Sequence, residues 1–259
     1  LTSLTRLGFA ARGLLYVVIA ILLFRSGRSE DFGGALAELG RSGGDPLLLA
    51  MTVGLGAYGV WRLADAALDI EGHGPDAKGA GGRVAAGISG IAYSALAWQA
   101  FRLMDGMGGG SGGGAEKSAR TALSLPGGPM LLVLAGLVLL GAGLFQLAKA
   151  YQCSFCDHLD PAVAHRPWLR WMGRAGYSAR GIIFLVSGFF IVRAGLDSRA
   201  SAAGGMEEAL AWLDRPVDLL VAAGLLLFGL FSIIEARFRV IHDVPLDEMA
   251  RAAHVGRRF

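Results

Sequence analysis

Six apolar stretches of 16 to 20 residues restrict the fold of this chain more than any other feature. A transmembrane α-helix needs roughly 20 apolar residues to cross about 30 Å of hydrocarbon. The mean hydropathy of +0.51 and the 17% share of charged residues also point away from a soluble domain. We therefore predict an all-α membrane protein with six transmembrane helices. They are Phe9–Phe24, Leu47–Ala64, Val84–Phe101, Pro129–Ala148, Tyr177–Val192 and Val217–Ile234.

The first helix sequence occurs three times in the chain. Residues 6–16 align without gaps to residues 83–93 and to residues 174–184. Recurrence at long intervals is the signature of a fold built from structural repeats. The matched positions hold the arginines Arg6, Arg83 and Arg174, the glycines Gly13, Gly90 and Gly181, and the aromatic residues Tyr16, Tyr93 and Phe184.

The second helix of each repeat aligns as well, at residues 59–66, 143–150 and 229–236. Each repeat is therefore predicted to be one pair of transmembrane helices. Because each has an even number of spans, the three copies enter the membrane from the same side, and a pseudo-threefold axis along the membrane normal relates them most simply. The predicted boundaries are 1–78 for repeat 1, 79–165 for repeat 2 and 166–245 for repeat 3, followed by a basic cytoplasmic tail at 246–259.

A short apolar motif separates the two helices of each repeat, at Ala35–Leu39, Thr121–Leu125 and Ala209–Leu213. We predict that each motif forms a short helix at the membrane surface. The alternative is an ordered loop.

The orientation follows from the lysine and arginine count on each side of the membrane. The termini, the loops between repeats and the adjoining helix ends carry fifteen, and the three loops within repeats carry nine. Cytoplasmic loops are enriched in these residues. Both termini are therefore predicted to be cytoplasmic, with the basic tail resting against anionic headgroups.

The repeated opening identifies a family resemblance. Ala-Ala-Arg-Gly-x-x-Tyr at residues 10–16 recurs as Ser-Ala-Arg-Gly-x-x-Phe at residues 178–184, and residues 235–239 read Glu-Ala-Arg-Phe-Arg. With these motifs the chain resembles, over its whole length, three tandem copies of the bacterial membrane family catalogued as domain of unknown function 1206. The resemblance implies six spans in a bacterial inner membrane and brings no activity, substrate or catalytic residue. The middle copy departs from the pattern, with Ser89 in place of the arginine.

Charged residues inside the spans are the sharpest chemical feature. Arg12 and Arg25 are thirteen residues apart, which is about 20 Å along a helix and less than the hydrocarbon thickness. One interpretation is that such arginines mark the two boundaries of a short helix and reach the interface. The other is that Arg12 and Arg180 point into the bundle, where Arg12 pairs with Asp65 and Arg180 pairs with Glu235. Charges within spans are costly unless they are paired or lie in a water-filled cavity.

The three repeats differ in complementary ways at these positions. Asp65, Lys149 and Glu235 are equivalent, and the repeat with the lysine is the one with Ser89 instead of an arginine. We therefore take Arg12, Ser89, Arg180, Asp65, Lys149 and Glu235 as candidate ion-pair or ligand residues. The sequence leaves open whether they form a structural ring or a polar site for a solute.

The two cysteines are weighed as a metal site. Cys153, Cys156 and His158, with Asp160 and His165 nearby, have ligand types at a metal-compatible spacing and could supply the four ligands of a structural zinc site, but there is no second pair of cysteines. Reduced thiols in a cytoplasmic loop are the ordinary case. We predict no metal and no cofactor.

Two function classes remain. The favoured one is a non-catalytic structural or interaction component, because the repeats are rich in the small residues that close helix packing requires. The alternative is a small transporter or channel with a polar site on the pseudo-threefold axis. No catalytic constellation is readable, so we expect no enzyme. The expected partners are the lipid bilayer and other membrane proteins, not nucleic acid, and the sequence leaves the oligomeric state open.

Overall fold

The computed structural model of the chain is all-helical in the part that it describes. That part covers residues 2–26, 31–72, 74, 76–105, 114–214 and 216–238 of the 259, without the side chains of residues 2–5, 26, 77, 78 and 158. The predicted basic tail at 246–259 lies outside these residues. No strand occurs within them.

Six helices in this part of the chain are long and apolar enough to cross a membrane, as predicted. The α-helices are α1 (Thr2–Ser26), α2 (Phe32–Leu68), α3 (Ala77–Met104), α4 (Gly114–Leu123), α5 (Gly128–Gln152), α6 (Pro161–Ala164), α7 (Pro167–Leu196), α8 (Met206–Trp212) and α9 (Val217–Phe238). The candidate spans are α1, α2, α3, α5, α7 and α9. Short 3₁₀ helices occupy Ser154–His158 and Ala200–Ala202.

The helices begin where the local sequence satisfies free backbone groups. Asp31 accepts a hydrogen bond from the backbone N–H of Gly34 at 2.8 Å, and Asp76 accepts one from Gly79 at 2.7 Å. These are N-cap contacts, which occupy amide groups that lack a partner within the helix. Pro167 opens α7, where the missing N–H of proline costs nothing.

Short helices precede the second span of every repeat, as predicted. They are α4, α8 and the first part of α2, which Gly44, with a φ of +64°, separates from the transmembrane part. Two of them are more deeply packed than helices on a surface need to be, since Leu36 in α2 is fully buried and Leu210 in α8 is 1% exposed, whereas α4 buries only Ala119. The ring of Phe32 packs edge-on against Tyr16 of α1 at 5.2 Å. The first part of α2 therefore packs against the core of the bundle at Tyr16.

Tight glycine contacts join the three repeats in a cyclic order. The second helix of each repeat crosses the first helix of the next: Gly59 lies on Gly90, Gly143 on Gly181 and Gly229 on Gly13. A Cβ atom on Gly13 would lie 2.6 Å from the carbonyl oxygen of Gly229, so no larger side chain fits without moving a helix. Small residues allow this backbone approach between membrane helices. Equivalent glycines make all three crossings, which is the order expected for three helix pairs around one axis.

The middle repeat departs from this arrangement. The two spans of repeat 1, α1 and α2, pack against each other, as do α7 and α9 of repeat 3. The spans of repeat 2, α3 and α5, pack along α2 and α7 but make little or no contact with each other. The bundle is therefore open on the side between α3 and α5.

Candidate functional site

Arg12 lies inside the bundle and forms a buried ion pair. Its side chain is 5% exposed, and Nη2 lies 2.7 Å from Oε2 of Glu235, which is 1% exposed. Nη2 also donates to Oγ of Ser232 at 3.0 Å, and Nη1 donates to the hydroxyl of Tyr58 at 2.7 Å. The predicted pairing of Arg12 with Asp65 is therefore wrong, because the partner comes from repeat 3.

The cyclic crossing of the helices explains this choice of partner. Arg12 directly precedes Gly13, and Glu235 follows Gly229 by six residues. Since Gly13 and Gly229 are in contact, the crossing brings the arginine of repeat 1 beside the acidic position of repeat 3. The repeat alignment identifies equivalent positions, but it does not show which copies are neighbours.

Asp65 makes contacts that hold the end of α2 and the loop after it. Its Oδ2 lies 3.2 Å from Nη1 of Arg62, and its Oδ1 accepts a hydrogen bond from the backbone N–H of Glu71 at 2.8 Å. Its backbone carbonyl accepts from Asp69, which ends the helix in a left-handed conformation. Asp65 thus ties the loop after α2 to the helix end.

Arg180 occupies the same repeat position as Arg12 but has a different environment. It directly precedes Gly181, which crosses α5 at Gly143, and the residue six positions after Gly143 is Lys149. Lys149 therefore occupies, relative to Arg180, the position that Glu235 occupies relative to Arg12. Among the described residues Arg180 makes no ion pair and no hydrogen bond, and its Nε is buried without a partner. The predicted pairing of Arg180 with Glu235 is wrong.

Aromatic rings surround the Arg180 guanidinium instead of acids. Its Cζ lies 4.8 Å from the ring centroid of Phe184, 5.1 Å from that of Phe228 and 5.8 Å from that of Tyr16. Tyr58 and Tyr93 extend the aromatic group and pack edge-on against each other at 4.7 Å. Cation–π contacts stabilise a guanidinium by about 0.5 to 2 kcal/mol, and they leave its charge unneutralised.

The two guanidinium groups share one aromatic residue. Cζ of Arg12 lies 5.2 Å and Cζ of Arg180 lies 5.1 Å from the ring centroid of Phe228, so they are at most about 10 Å apart. With Glu235, the two arginines carry a formal charge of +1. We call this group the arginine–aromatic cluster. Its members are Arg12, Arg180, Glu235, Tyr16, Tyr58, Tyr93 and Phe228.

The helix positions of the arginines separate two roles. Arg25 and Arg193 lie in the last turns of α1 and α7, and the side chain of Arg193 is 62% exposed beside Asp197. These two fit the interpretation of boundary residues. Arg12 and Arg180 lie near the middle of α1 and α7, and Arg180 follows the start of its helix by about 20 Å. Both guanidinium groups also lie against Phe228 inside the bundle, so boundary anchoring does not explain them.

Ser89 and Lys149 complete the set of candidate residues. Ser89 is half-buried on α3 and makes no hydrogen bond within the described residues. Lys149 is half-buried on α5, and its Nζ lies 5.1 Å from the ring centroid of Tyr177. The middle repeat thus contributes no arginine and no carboxylate to the cluster.

The cysteine loop lies at the end of α5. Sγ of Cys153 is buried and accepts a hydrogen bond from Nε of Arg174 at 2.9 Å. Burial and the neighbouring Cys153 raise the pKa of the half-buried Cys156 thiol. The described side chains contain no group of three or more potential metal ligands, and the side chain of His158 is not among them. The absence of a metal stays a prediction.

Sequence reasoning found the charges of the site but missed its aromatic residues and Ser232. Tyr16 and Tyr93 appear in the alignment as matched aromatic positions, which is a signal for a shared environment. Tyr58 and Phe228 directly precede the crossing glycines Gly59 and Gly229, and the middle repeat has Ala142 there. This contrast was available in the sequence, but only the cyclic packing shows that both rings face the arginines.

Comparison with known proteins identifies relatives. A curated relative, the uncharacterized protein YxxB of Bacillus subtilis (strain 168), is 30% identical over 248 residues, covering 90% of this chain and 90% of the relative. No solved structure matches. The model of one family, described as Domain of Unknown Function (DUF1206), matches three times, at residues 7–69, 84–152 and 175–239. The chain therefore belongs to the DUF1206 family, with three tandem copies of its domain.

Proposed function

We propose that this protein binds an anion at Arg180, inside the membrane-spanning bundle, and acts in transport of that anion. The observation that carries the proposal is the net positive charge of the arginine–aromatic cluster, in which Glu235 neutralises Arg12 and Arg180 makes no ion pair with a described residue. This is the transporter alternative of the sequence analysis rather than the structural role that composition favoured.

The cost of the unpaired charge supports a functional role. A charged side chain at the centre of a membrane helix costs at least about 2.5 to 3.5 kcal/mol, and such residues commonly mark ligand or ion pathways. The aromatic contacts of Arg180 offset part of this cost, but they do not supply a counter-charge. A residue kept only for packing gains nothing from a guanidinium there. An anionic ligand would supply the missing charge.

A separate observation supports the structural role. The glycine crossings and the Arg12–Glu235 pair hold three helix pairs together without any ligand. A protein whose task is to pack against other membrane proteins needs only that framework. The two roles differ in what they require of Arg180.

The surroundings of the site are also part of the proposal. We place the protein in a bacterial inner membrane with both termini cytoplasmic, supported by the excess of lysine and arginine on that side. The site binds and does not catalyse. The bilayer is its main partner, and nucleic acid is not one.

Binding is tested by thermal unfolding of the purified protein in a neutral detergent. Inorganic phosphate, with acetate in parallel, should raise the melting temperature of the wild type, because a ligand that binds only the folded state stabilises it. The variant Arg180→Gln should lose the effect. Arg193→Gln, the same change on an exposed part of the same helix, should keep it. Equal responses of the wild type and Arg180→Gln to both anions would contradict the proposal.

Unfolding without added anions separates the two roles. Removing an uncompensated buried charge relieves its desolvation cost, so Arg180→Gln should melt at the wild-type temperature or higher. Removing a residue needed for packing should lower it. Arg12→Gln serves as the comparison, because it breaks a buried ion pair at the equivalent position and should be clearly destabilising.

A further inference from the structure

The middle repeat exposes helix faces that repeats 1 and 3 bury. On α5, Ala135 is exposed and Leu139 and Ala142 are half-buried. The equivalent residues of α2 are Met51, Leu55 and Tyr58, which are 2%, 0% and 4% exposed. The same contrast occurs on α3, where Ala92 is exposed and its equivalent Leu15 in α1 is fully buried.

Small side chains widen the opening on these faces. Ala142 replaces the aromatic rings of Tyr58 and Phe228, and Ala92 replaces Leu15. Because α3 and α5 make little or no contact with each other, these residues border an open groove between the two helices. We call it the α3–α5 groove. The residues named above, Ala92, Ala135, Leu139 and Ala142, are apolar, and within the spans the open side would face the hydrocarbon of the bilayer.

The groove leads to Arg180. Gly143 of α5 lies against Gly181 of α7, and Ala142 and Arg180 are the residues that directly precede these two glycines. On the α3 side, Tyr93 follows Ala92 and belongs to the arginine–aromatic cluster. Arg180 is itself half-buried rather than fully enclosed, unlike Arg12.

We propose that the α3–α5 groove admits an amphiphile with an anionic headgroup from the bilayer, so that its phosphate or carboxylate reaches Arg180 while its acyl chain lies between α3 and α5. The proposal rests on the proposed anion site and names its ligand class. Charge complementarity selects the headgroup, because the cluster carries a net positive charge. The apolar walls and the lateral opening select the chain, since a solute from water would have to cross hydrocarbon to enter by this route.

The test compares dodecyl phosphate with inorganic phosphate on the protein in dodecyl maltoside, a neutral detergent with the same chain, and inorganic phosphate at the same concentration should give the smaller rise in melting temperature. At saturation dodecyl phosphate should raise the melting temperature of the wild type by roughly 5 °C, and Arg180→Gln should abolish the rise. Ala142→Phe should remove most of the rise, because it restores the ring that the other repeats carry. The matched control Ala148→Phe changes an exposed position of the same helix and should leave the rise unchanged.

A second groove variant, Ala92→Leu, covers the case that Ala142→Phe fails to fold, since it restores the residue found in repeat 1. An Arg180-dependent rise that both groove variants retain would overturn the amphiphile proposal and leave the anion site standing. A rise that does not depend on Arg180 would overturn both. If light scattering shows a wild-type dimer that Ala142→Phe splits, and dodecyl phosphate has no effect, the groove binds a second copy and the proposal is wrong.

Discussion

Arg12 and Arg180 show how one position in a repeat acquires two environments. Both precede a crossing glycine in the middle of a first helix, and both contact Phe228. They differ because Glu235 faces one crossing and Lys149 is at the corresponding position of the other. The role of each arginine is therefore set by the neighbouring repeat rather than by its own.

The Arg12–Glu235 pair gives the first prediction at this scale. Glu235→Gln should destabilise the protein by about 3 to 5 kcal/mol, because it leaves the Arg12 guanidinium buried without a counter-charge. The double variant Arg12→Gln with Glu235→Gln should cost much less than the sum of the single changes. Thermal unfolding in detergent measures both.

Asp65 provides the control for that cycle. Because Asp65 pairs with Arg62 and not with Arg12, the double variant Arg12→Gln with Asp65→Asn should be additive. If the effects of the Arg12 and Asp65 changes on stability are coupled, and those of the Arg12 and Glu235 changes are additive, the result contradicts the pairing of Arg12 with Glu235.

The Cys156 thiol gives a prediction of pH dependence. Its pKa is raised above the ordinary cysteine value, so less thiolate is present near pH 8 than in a solvated cysteine. In a Cys153→Ser background, the midpoint of the alkylation rate against pH should lie higher than that of an exposed cysteine at Gln152 in a protein without native cysteines. Mass spectrometry after timed iodoacetamide treatment gives both midpoints, and equal midpoints would contradict the prediction.

At the scale of helices, periodic sequence signals predicted the elements, and small residues decided their pairing. The apolar runs and the alignment of residues 6–16 with 83–93 and 174–184 are local properties, so the six spans could be predicted. The partner of Arg12 could not be predicted, because it depends on a contact between α1 and α9, and these two helices are far apart in sequence. The glycines occupy matching positions in the three repeats, but the alignment does not specify which copies are in contact.

The glycine crossings predict a contrast between two positions of α5. A Cβ on Gly143 would lie 2.9 Å from Leu185 and 3.0 Å from the carbonyl oxygen of Gly181, whereas Gly141 has nothing within 4 Å. Gly143→Ala should therefore destabilise by about 1 to 3 kcal/mol through overpacking. Gly141→Ala should be neutral or stabilising by up to about 1 kcal/mol, because alanine favours the helix. Equal melting temperatures for the two variants would mean that α5 and α7 do not cross there.

At the scale of the whole molecule, the three repeats share a framework and differ in charge. The crossings on Gly13, Gly90 and Gly181 are alike, while the residues that precede these glycines are an arginine, a serine and an arginine. The middle repeat lacks the arginine, and its own spans make little or no contact with each other. Its departure in sequence, visible at Ser89, therefore coincides with the opening of the bundle.

The orientation of the whole chain is tested by labelling engineered cysteines in intact cells with a membrane-impermeant maleimide. Native Cys153 is a poor reporter because it is buried, so both positions are placed on exposed residues of a protein without native cysteines. Ser201→Cys lies in the loop between the spans of repeat 3, and Gln152→Cys lies at the end of α5.

The excess of lysine and arginine on the side of the termini predicts that the cysteine at Ser201 reacts in intact cells and that the one at Gln152 reacts only after lysis. These two positions lie at opposite ends of the bundle, since α5 and α7 run antiparallel between them. The reverse labelling pattern would show that the chain has the opposite orientation in the membrane. The anion site would survive that result, because the contacts of Arg180 inside the bundle do not depend on which end of the bundle is cytoplasmic.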